Sequence, residues 1–551
     1  MKTQMIKKSR IISLLSATAL VSMMVVAIPI SAQAAAPTCD GGKAINTCGG
    51  ATSDGAPYVM KVPGNFNGTV VLYSHGYRPN VNVPVGIPGY GGYVVNNTPQ
   101  PGPLVGGKDP AVITYLLSNG YAVAGSGFAR QGWNAHSAIM TNVELIGAFK
   151  AQFPTTKRVV AWGESLGGFI TQGLAEQHPK LVDAVAPLCI ADNVTPQLTG
   201  AGDFLWGVKV LFDPSIKGGN YSAGAAGYGE AIGDLVKFFT VIAKLQGGIT
   251  TGAWPDTSSA TGKALATAGV PVRSALLLLG LMAGLPTQSA HFDSISGPTG
   301  ALKLTFPLAV SPALAILENG ANAGALAVLA THDVENQVGG AVFDNTKTDY
   351  AARVINERVV FNAALSGNTV IDAMLGALSA ANPGAPRAIG NPAAMAKMLA
   401  LHQNSGKINI PTILMHGVAD PITPAGATQR IVNAYAEQYA SAKAEAVANY
   451  KKTLTYTPAT KKVLTIWSTT PDSYTTFNAT TGAPITSTAA APGTGHCNFS
   501  TAQYLVVARN LVSAGTTGKF LSGPTNRTLV RKAKNLSTDP DFSAPLMKYY
   551  E

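Results

Sequence analysis

Residues 157–168 read KRVVAWGESLGG. A short apolar run ending at Trp162 leads straight into Gly163-Glu164-Ser165-Leu166-Gly167, and helical sequence from Phe169 to His178 follows, stopping before Pro179. The order is strand, tight turn, helix, and that context gives a Gly-x-Ser-x-Gly pattern meaning. Such a turn holds the serine in a strained backbone conformation, and bulky neighbours would clash with it. Glycines on either side remove the clash. The turn lifts the hydroxyl of Ser165 clear of the sheet, and the N-terminus of the following helix stabilises negative charge beside it.

Outward from this turn, strands and helices alternate. Gly68–Ser74 (GTVVLYS), Tyr121–Gly125 (YAVAG) and Leu181–Leu188 (LVDAVAPL) read as further strands, and Ala138–Phe153 as a helix. Alternation of this kind predicts a parallel sheet covered by helices on both faces. From about Asn193 to Ser405 the rhythm changes to mostly helical segments. Ile232, Leu235, Val236, Phe239 and Ile242 share one helical face; Ser311-Pro312 reads as a helix start with Ser311 as cap; Asp349–Leu365 reads as a third helix. Strands resume at Pro411–His416 (PTILMH) and Lys462–Trp467, with a helix over 425–450 between them. Thr469–Gly495 is rich in Thr, Ala, Gly and Pro and reads as a long loop. The expected division is a signal peptide at 1–34, a tethered extension at 35–57, a core at 58–192 and 406–551, and a helical cap at 193–405.

Of 551 residues, 46% are hydrophobic and only 12% charged, against about 25% charged in an average globular domain. Disordered, collagen-like and coiled-coil chains are thereby excluded. The net charge of +11 comes from scarce acids rather than from basic blocks, so nucleic-acid binding has no support. Lys2, Lys7, Lys8 and Arg10 precede an apolar run from Ile11 to Ile30, and Ala32-Gln33-Ala34 supplies small residues for cleavage near Ala34. Export is the expectation, with no stable membrane insertion afterwards, since Ser274–Leu285 is too short and is interrupted by Gly280 and Gly284. Four cysteines in an exported chain point to disulfides. Cys39 and Cys48 flank a Gly-rich turn and can close a small loop, leaving Cys189 and Cys497, although four cysteines allow three connectivities. No CxxC or HExxH spacing suggests a metal, and no cofactor is implied.

A serine hydroxyl needs a base, and the base needs an orienting acid. Among eight histidines, His496 lies in Gly495-His496-Cys497 downstream of the last strand, which fits the chain order serine, acid, histidine. His416 ends a strand; His75, His136, His178, His291, His332 and His402 read as surface, cap or backbone-positioned residues. Asp420, on a turn just past the strand that ends at His416, is the expected acid, with Asp192 as its rival. His75-Gly76-Tyr77 follows the first clear strand. The backbone N–H of Tyr77, with that of Leu166, would form the oxyanion hole.

Together SHGY (74–77), GESLGG (163–168), HGVADPITP (416–424) and GHCNFS (495–500) resemble the motifs of the α/β-hydrolase superfamily. The resemblance covers roughly 58–195 and 407–510. It implies an α/β-hydrolase fold, a mostly parallel central sheet with helices on both faces and a large helical cap, and a Ser165–His496–Asp420 triad. The last two motifs resemble those of secreted bacterial serine hydrolases, including the tripeptidyl-aminopeptidase type. Cys497 after the histidine resembles tannase and feruloyl-esterase enzymes, where a disulfide ties the histidine loop to a cysteine just before the serine. Here Glu164 stands before Ser165, which leaves that substrate class unsupported, but a Cys189–Cys497 bridge could anchor the loop from the neighbouring strand. The implied activity is cleavage of a small-molecule or polymeric carboxylic ester through an acyl-enzyme. A serine peptidase is the alternative, with few acids in the cap (Glu318, Asp333, Glu335, Glu357) to hold an amine. A non-catalytic binding protein of this fold is the remaining reading.

Overall fold

The computed structural model describes residues 36–297, 309–359 and 367–550. The signal segment expected at 1–34 and the end of the helix expected at 349–365 lie outside these residues. One ten-stranded sheet organises the described chain. Its strands are β1 (Thr38–Cys39), β2 (Ile45–Ala51), β3 (Pro57–Pro63), β4 (Thr69–Ser74), β5 (Ala122–Ser126), β6 (Arg158–Glu164), β7 (Ala184–Leu188), β8 (Thr412–Gly417), β9 (Val463–Ser468) and β10 (Leu536–Ser537). The order across the sheet is β1-β2-β3-β5-β4-β6-β7-β8-β9-β10. Pairing is parallel from β5 through β9 and antiparallel at both margins.

The two sides of each central strand explain why it is apolar throughout. Val70, Leu72, Val159 and Ala161 face one layer, built on helices α2 (Ala135–Gln152) and α3 (Leu166–Gln177), which follow α1 (Ala111–Ser118) in the chain. Val71, Tyr73, Val160 and Trp162 face the other layer, formed by α1 and the helix Thr501–Thr517. A strand buried on both faces has no polar side to show. This sheet, with helices on both faces and the serine turn at the end of β6, is the α/β-hydrolase fold. The chain order reverses between β4 and β6, and ligands bind outside the carboxyl ends of strands at such a switch point. Gly76 and Ser165 follow the ends of those two strands.

Residues 35–57, expected as a tethered extension, instead supply β1 and β2, and β2 pairs along its whole length with β3. The Cys39–Cys48 disulfide joins facing positions of β1 and β2. A Gly-rich strand such as INTCGGA has no apolar alternation to give it away.

Between β7 and β8 the chain adds a helical insertion with its own apolar core. Its main helices are α4 (Val194–Leu211), α5 (Gly224–Gln246), α6 (Ala260–Thr267), α7 (Val272–Ala283) and α8 (Ser311–Val338). On α5 the large buried apolar residues are Leu235, Phe238, Val241, Ile242 and Leu245, while Val236 is exposed, so the expected face is turned. α8 begins at Ser311, but the Ser311 hydroxyl donates to Asp293 Oδ1 at 3.1 Å instead of capping the helix. After a single helical turn at Tyr350–Arg353, capped by the Asp349 side chain, the expected third helix gives way to turns. By length and apolarity alone α8 could cross a membrane. It is instead a core helix: Gly320 and Gly324 leave room for Phe204 and Phe238, whose rings would lie about 2.5 Å or less from any Cβ there.

Candidate active site

Ser165 has φ 58° and ψ −125°, the strained left-handed geometry expected of the turn. Its neighbours leave no room for side chains. A Cβ on Gly163 would lie 2.3 Å from the Gly167 carbonyl oxygen, and one on Gly167 would lie 2.0 Å from that of Ser74. Gly76 passes so close that a Cβ would sit 3.1 Å from the Ser165 Cβ. The main-chain N–H groups of Tyr77 and Leu166, read as oxyanion donors, have no acceptor among the described residues. The Tyr77 ring points into the insertion, its hydroxyl 3.5 Å from the Leu329 carbonyl on α8.

His496 and Asp420 are brought together as expected. His496 Nδ1 is 2.9 Å and 3.0 Å from the two Asp420 carboxylate oxygens. Asp420 is fully buried and also accepts from the N–H groups of Ile422 (2.9 Å), Thr423 (3.0 Å) and Cys497 (3.2 Å). Burial pushes the carboxyl up, but the imidazolium and these donors prevail and hold it below its ordinary value. For His496 burial favours the neutral ring, yet Asp420 prevails and holds the imidazolium above the ordinary histidine range. With Nδ1 facing the acid, Nε2 is the nitrogen available to a substrate proton. Ser165 and His496 line one cavity, and the Ser165 hydroxyl has no hydrogen-bond partner among the described residues.

The turn that carries Asp420 is itself built by His416. His416 Nε2 lies 2.6 Å from the Thr423 carbonyl and therefore donates to it, which leaves Nδ1 to accept from the Thr428 hydroxyl at 2.7 Å. His75 is buried against Phe128, and burial together with Arg78 brings its pKa down to about 4. Asp192, the rival acid, is held in an ion pair with Arg430 at 2.7 Å, away from His496. Cys189 and Cys497 form a disulfide that ties the end of β7 to the histidine loop, and both have positive φ (39° and 50°). The sulfur of Cys497 lies near Asp420 and His496, but a disulfide sulfur is not a thiolate, so the three do not make a metal site.

Two cavities meet at Ser165. One, of about 840 Å³, is apolar and is lined by Trp133, Leu198 and Phe204 together with Leu326, Ala327 and Ala330 of α8. The other, of about 1280 Å³, is the more polar of the two and contains His496, Arg78, Gln100, Glu164 and Tyr504 beside Leu104, Ile422 and Phe499. In the sequence Glu164 stands out only as a departure from a family pattern. Its carboxylate accepts from the hydroxyls of Tyr73 and Tyr504, one on each oxygen, and burial raises its pKa against both. Nothing local in the sequence shows that contact, since Tyr73 and Tyr504 are 91 and 340 residues away.

No protein-family model matches the chain, and no curated protein matches it. Among solved structures it is similar to feruloyl esterase B from Aspergillus oryzae (13% identity, 87% of this chain and 83% of that one, TM-score 0.33). It is also similar to an esterase from Aspergillus oryzae (12%, 72% and 68%, TM-score 0.31) and to the rice cell wall degrading esterase LipA from Xanthomonas oryzae (12%, 82% and 94%, TM-score 0.29). These likenesses are too distant to carry function, and the fold stands on the strand order and turn geometry described above.

Proposed function

We propose that this chain is an exported serine hydrolase that cleaves carboxylic esters through an acyl-enzyme. The observation that carries the reading is Ser165 on its positive-φ turn, in one cavity with a His496 whose Nδ1 is 2.9 Å from Asp420. In the proposed reaction His496 Nε2 takes the Ser165 proton as the oxygen attacks the ester carbonyl. The N–H groups of Tyr77 and Leu166 hold the oxyanion; losing one such donor typically costs about 10²–10³ in rate. His496 then gives its proton to the departing alcohol oxygen. Water, activated by the same ring, releases the acid and restores Ser165.

The apolar cavity beside the serine supports an acyl group over a peptide N-terminus. So do the four cap acids, each of which is occupied elsewhere. Glu318 pairs with His291, Asp333 with Arg130 and Glu357 with Lys548, while Glu335 accepts from the N–H groups of Asn220 and Tyr221. Two disulfides support folding in an oxidising compartment, following removal of residues 1–34.

The test is hydrolysis of p-nitrophenyl esters of increasing acyl length. Turnover is expected in the wild type and absent in Ser165→Ala, with an optimum at a chain length that fills the apolar cavity. Turnover that survives in Ser165→Ala overturns the mechanism.

A further inference from the structure

Ser165 lies where the two cavities meet, and His496 decides which half of the substrate occupies each. The leaving oxygen must receive its proton from His496, and His496 lines the polar cavity but not the apolar one. The alcohol half therefore departs through the polar cavity, and the acyl half occupies the apolar one. This assignment rests on the ester-hydrolase reading above.

Arg78 is the sole arginine or lysine that lines the polar cavity. It has no carboxylate within ion-pair distance among the described residues. Its guanidinium is nevertheless held in place: one terminal nitrogen donates to the Thr98 carbonyl at 2.8 Å and the other to Gln100 Oε1 at 3.3 Å. The segment that offers these acceptors lies directly on β5. A Cβ on Gly125 would fall 1.9 Å from the Gln100 carbonyl oxygen, and one on Gly127 would fall 1.7 Å from that of Asn97. Of the guanidinium's five donors, two are used and three remain. The cavity's one acidic residue, Glu164, already has both oxygens engaged by tyrosine hydroxyls. A half-buried cation without a counter-charge is costly unless a ligand supplies one.

We infer that Arg78 is a specificity residue that receives a carboxylate on the alcohol half of the ester, so that the preferred substrate joins an apolar acid to an anionic alcohol or phenol. A guanidinium fork matches a carboxylate in plane and spacing. One fixed positive charge in the cavity suits one negative charge.

The experiment compares 4-(butanoyloxy)benzoate with its methyl ester, in which a methyl group caps the carboxylate and removes the charge, and follows release of the phenol from each. The ratio of their kcat/KM values, compared between wild type and variants, cancels intrinsic reactivity. In Arg78→Gln the anionic ester is expected to fall about tenfold or more beyond the neutral one, mainly through KM. Arg78→Lys should recover part of the difference. An unchanged ratio, with both esters slowed alike, overturns the proposal and leaves Arg78 only as a tie for residues 98–100. Calorimetric binding of 4-hydroxybenzoate to wild type and Arg78→Gln requires no turnover. Arg78-dependent binding without ester cleavage would keep the anion site and overturn the ester reading; cleavage without Arg78-dependent discrimination or binding would do the reverse.

Discussion

Burial and charge pull the His496 ring in opposite directions, and Asp420 prevails. As the base, His496 must be neutral, so kcat/KM should fall on the acid side with an apparent pKa above the ordinary 6.5. Asp420→Asn removes the larger counter-charge and leaves burial opposed only by the smaller pull of Glu164. The inflection should then move below that of the wild type, and kcat should fall by on the order of 10⁴; a pH–rate profile of both proteins checks this. The same pair is linked to stability. The raised His496 pKa contributes stability below the ordinary histidine value and loses it as pH rises through the folded value. The lowered Asp420 pKa contributes above 3.8 and loses it as pH falls through its folded value. The gap in Tm between wild type and Asp420→Asn should therefore be widest between about 4 and 6.5, and a Tm series against pH measures it. Both residues were legible in the sequence because each sits on a turn beyond a strand end. Arg78 and Glu164 were not, because their meaning lies in what they face across the cavity.

The turn between β6 and α3 is the element whose sequence and geometry agree most closely. Its two glycines have backbone oxygens where a Cβ would go, so Gly167→Ala should abolish activity even where circular dichroism shows a folded chain. The histidine loop depends on a tie from outside itself. The Cys189–Cys497 bond fixes the residue after His496 to the end of β7. The double variant Cys189→Ser/Cys497→Ser should lose about 2–5 kcal/mol of stability, and its kcat should fall more than its KM rises; denaturant titration and ester kinetics read the two effects. Elements whose apolar runs are bounded by turn residues, such as β4, β6 and α3, were legible to within a few residues. The start of α8 and the inner face of α5 were not. Asp293 claims the Ser311 hydroxyl, and Phe238 and Leu245 carry burial one position round the helix. β2 gave no signal because its strand identity comes from its partner β3 and not from its own side chains.

At the scale of the whole molecule, the insertion is fastened to the sheet side by Asp333 of α8. Its buried carboxylate accepts from Arg130 (2.5 Å), from the Trp133 N–H (2.6 Å) and from Asn80 (2.7 Å). Gln337 Nε2 also donates to it at 3.3 Å, so Asp333→Ala leaves four donors without this acceptor, with Arg130 partly open to water, and should cost about 1–3 kcal/mol. Because α8 walls the apolar cavity, KM for long-chain esters should rise in this variant more than for short ones, as a chain-length series would reveal. The presence of an insertion was legible from the change of rhythm after β7, but its attachment, between residues 200 apart, was not. The same chain order has a consequence during synthesis. Ser165 and Cys189 precede the insertion, whereas Asp420, His496 and Cys497 follow it. A chain emerging from its N-terminus presents a serine without its acid until 255 further residues have appeared, and without its base until 331 have. On the proposed chemistry, every nascent or truncated copy that stops short of His496 is silent, and the esters of the producing cell are spared without a separate inhibitor.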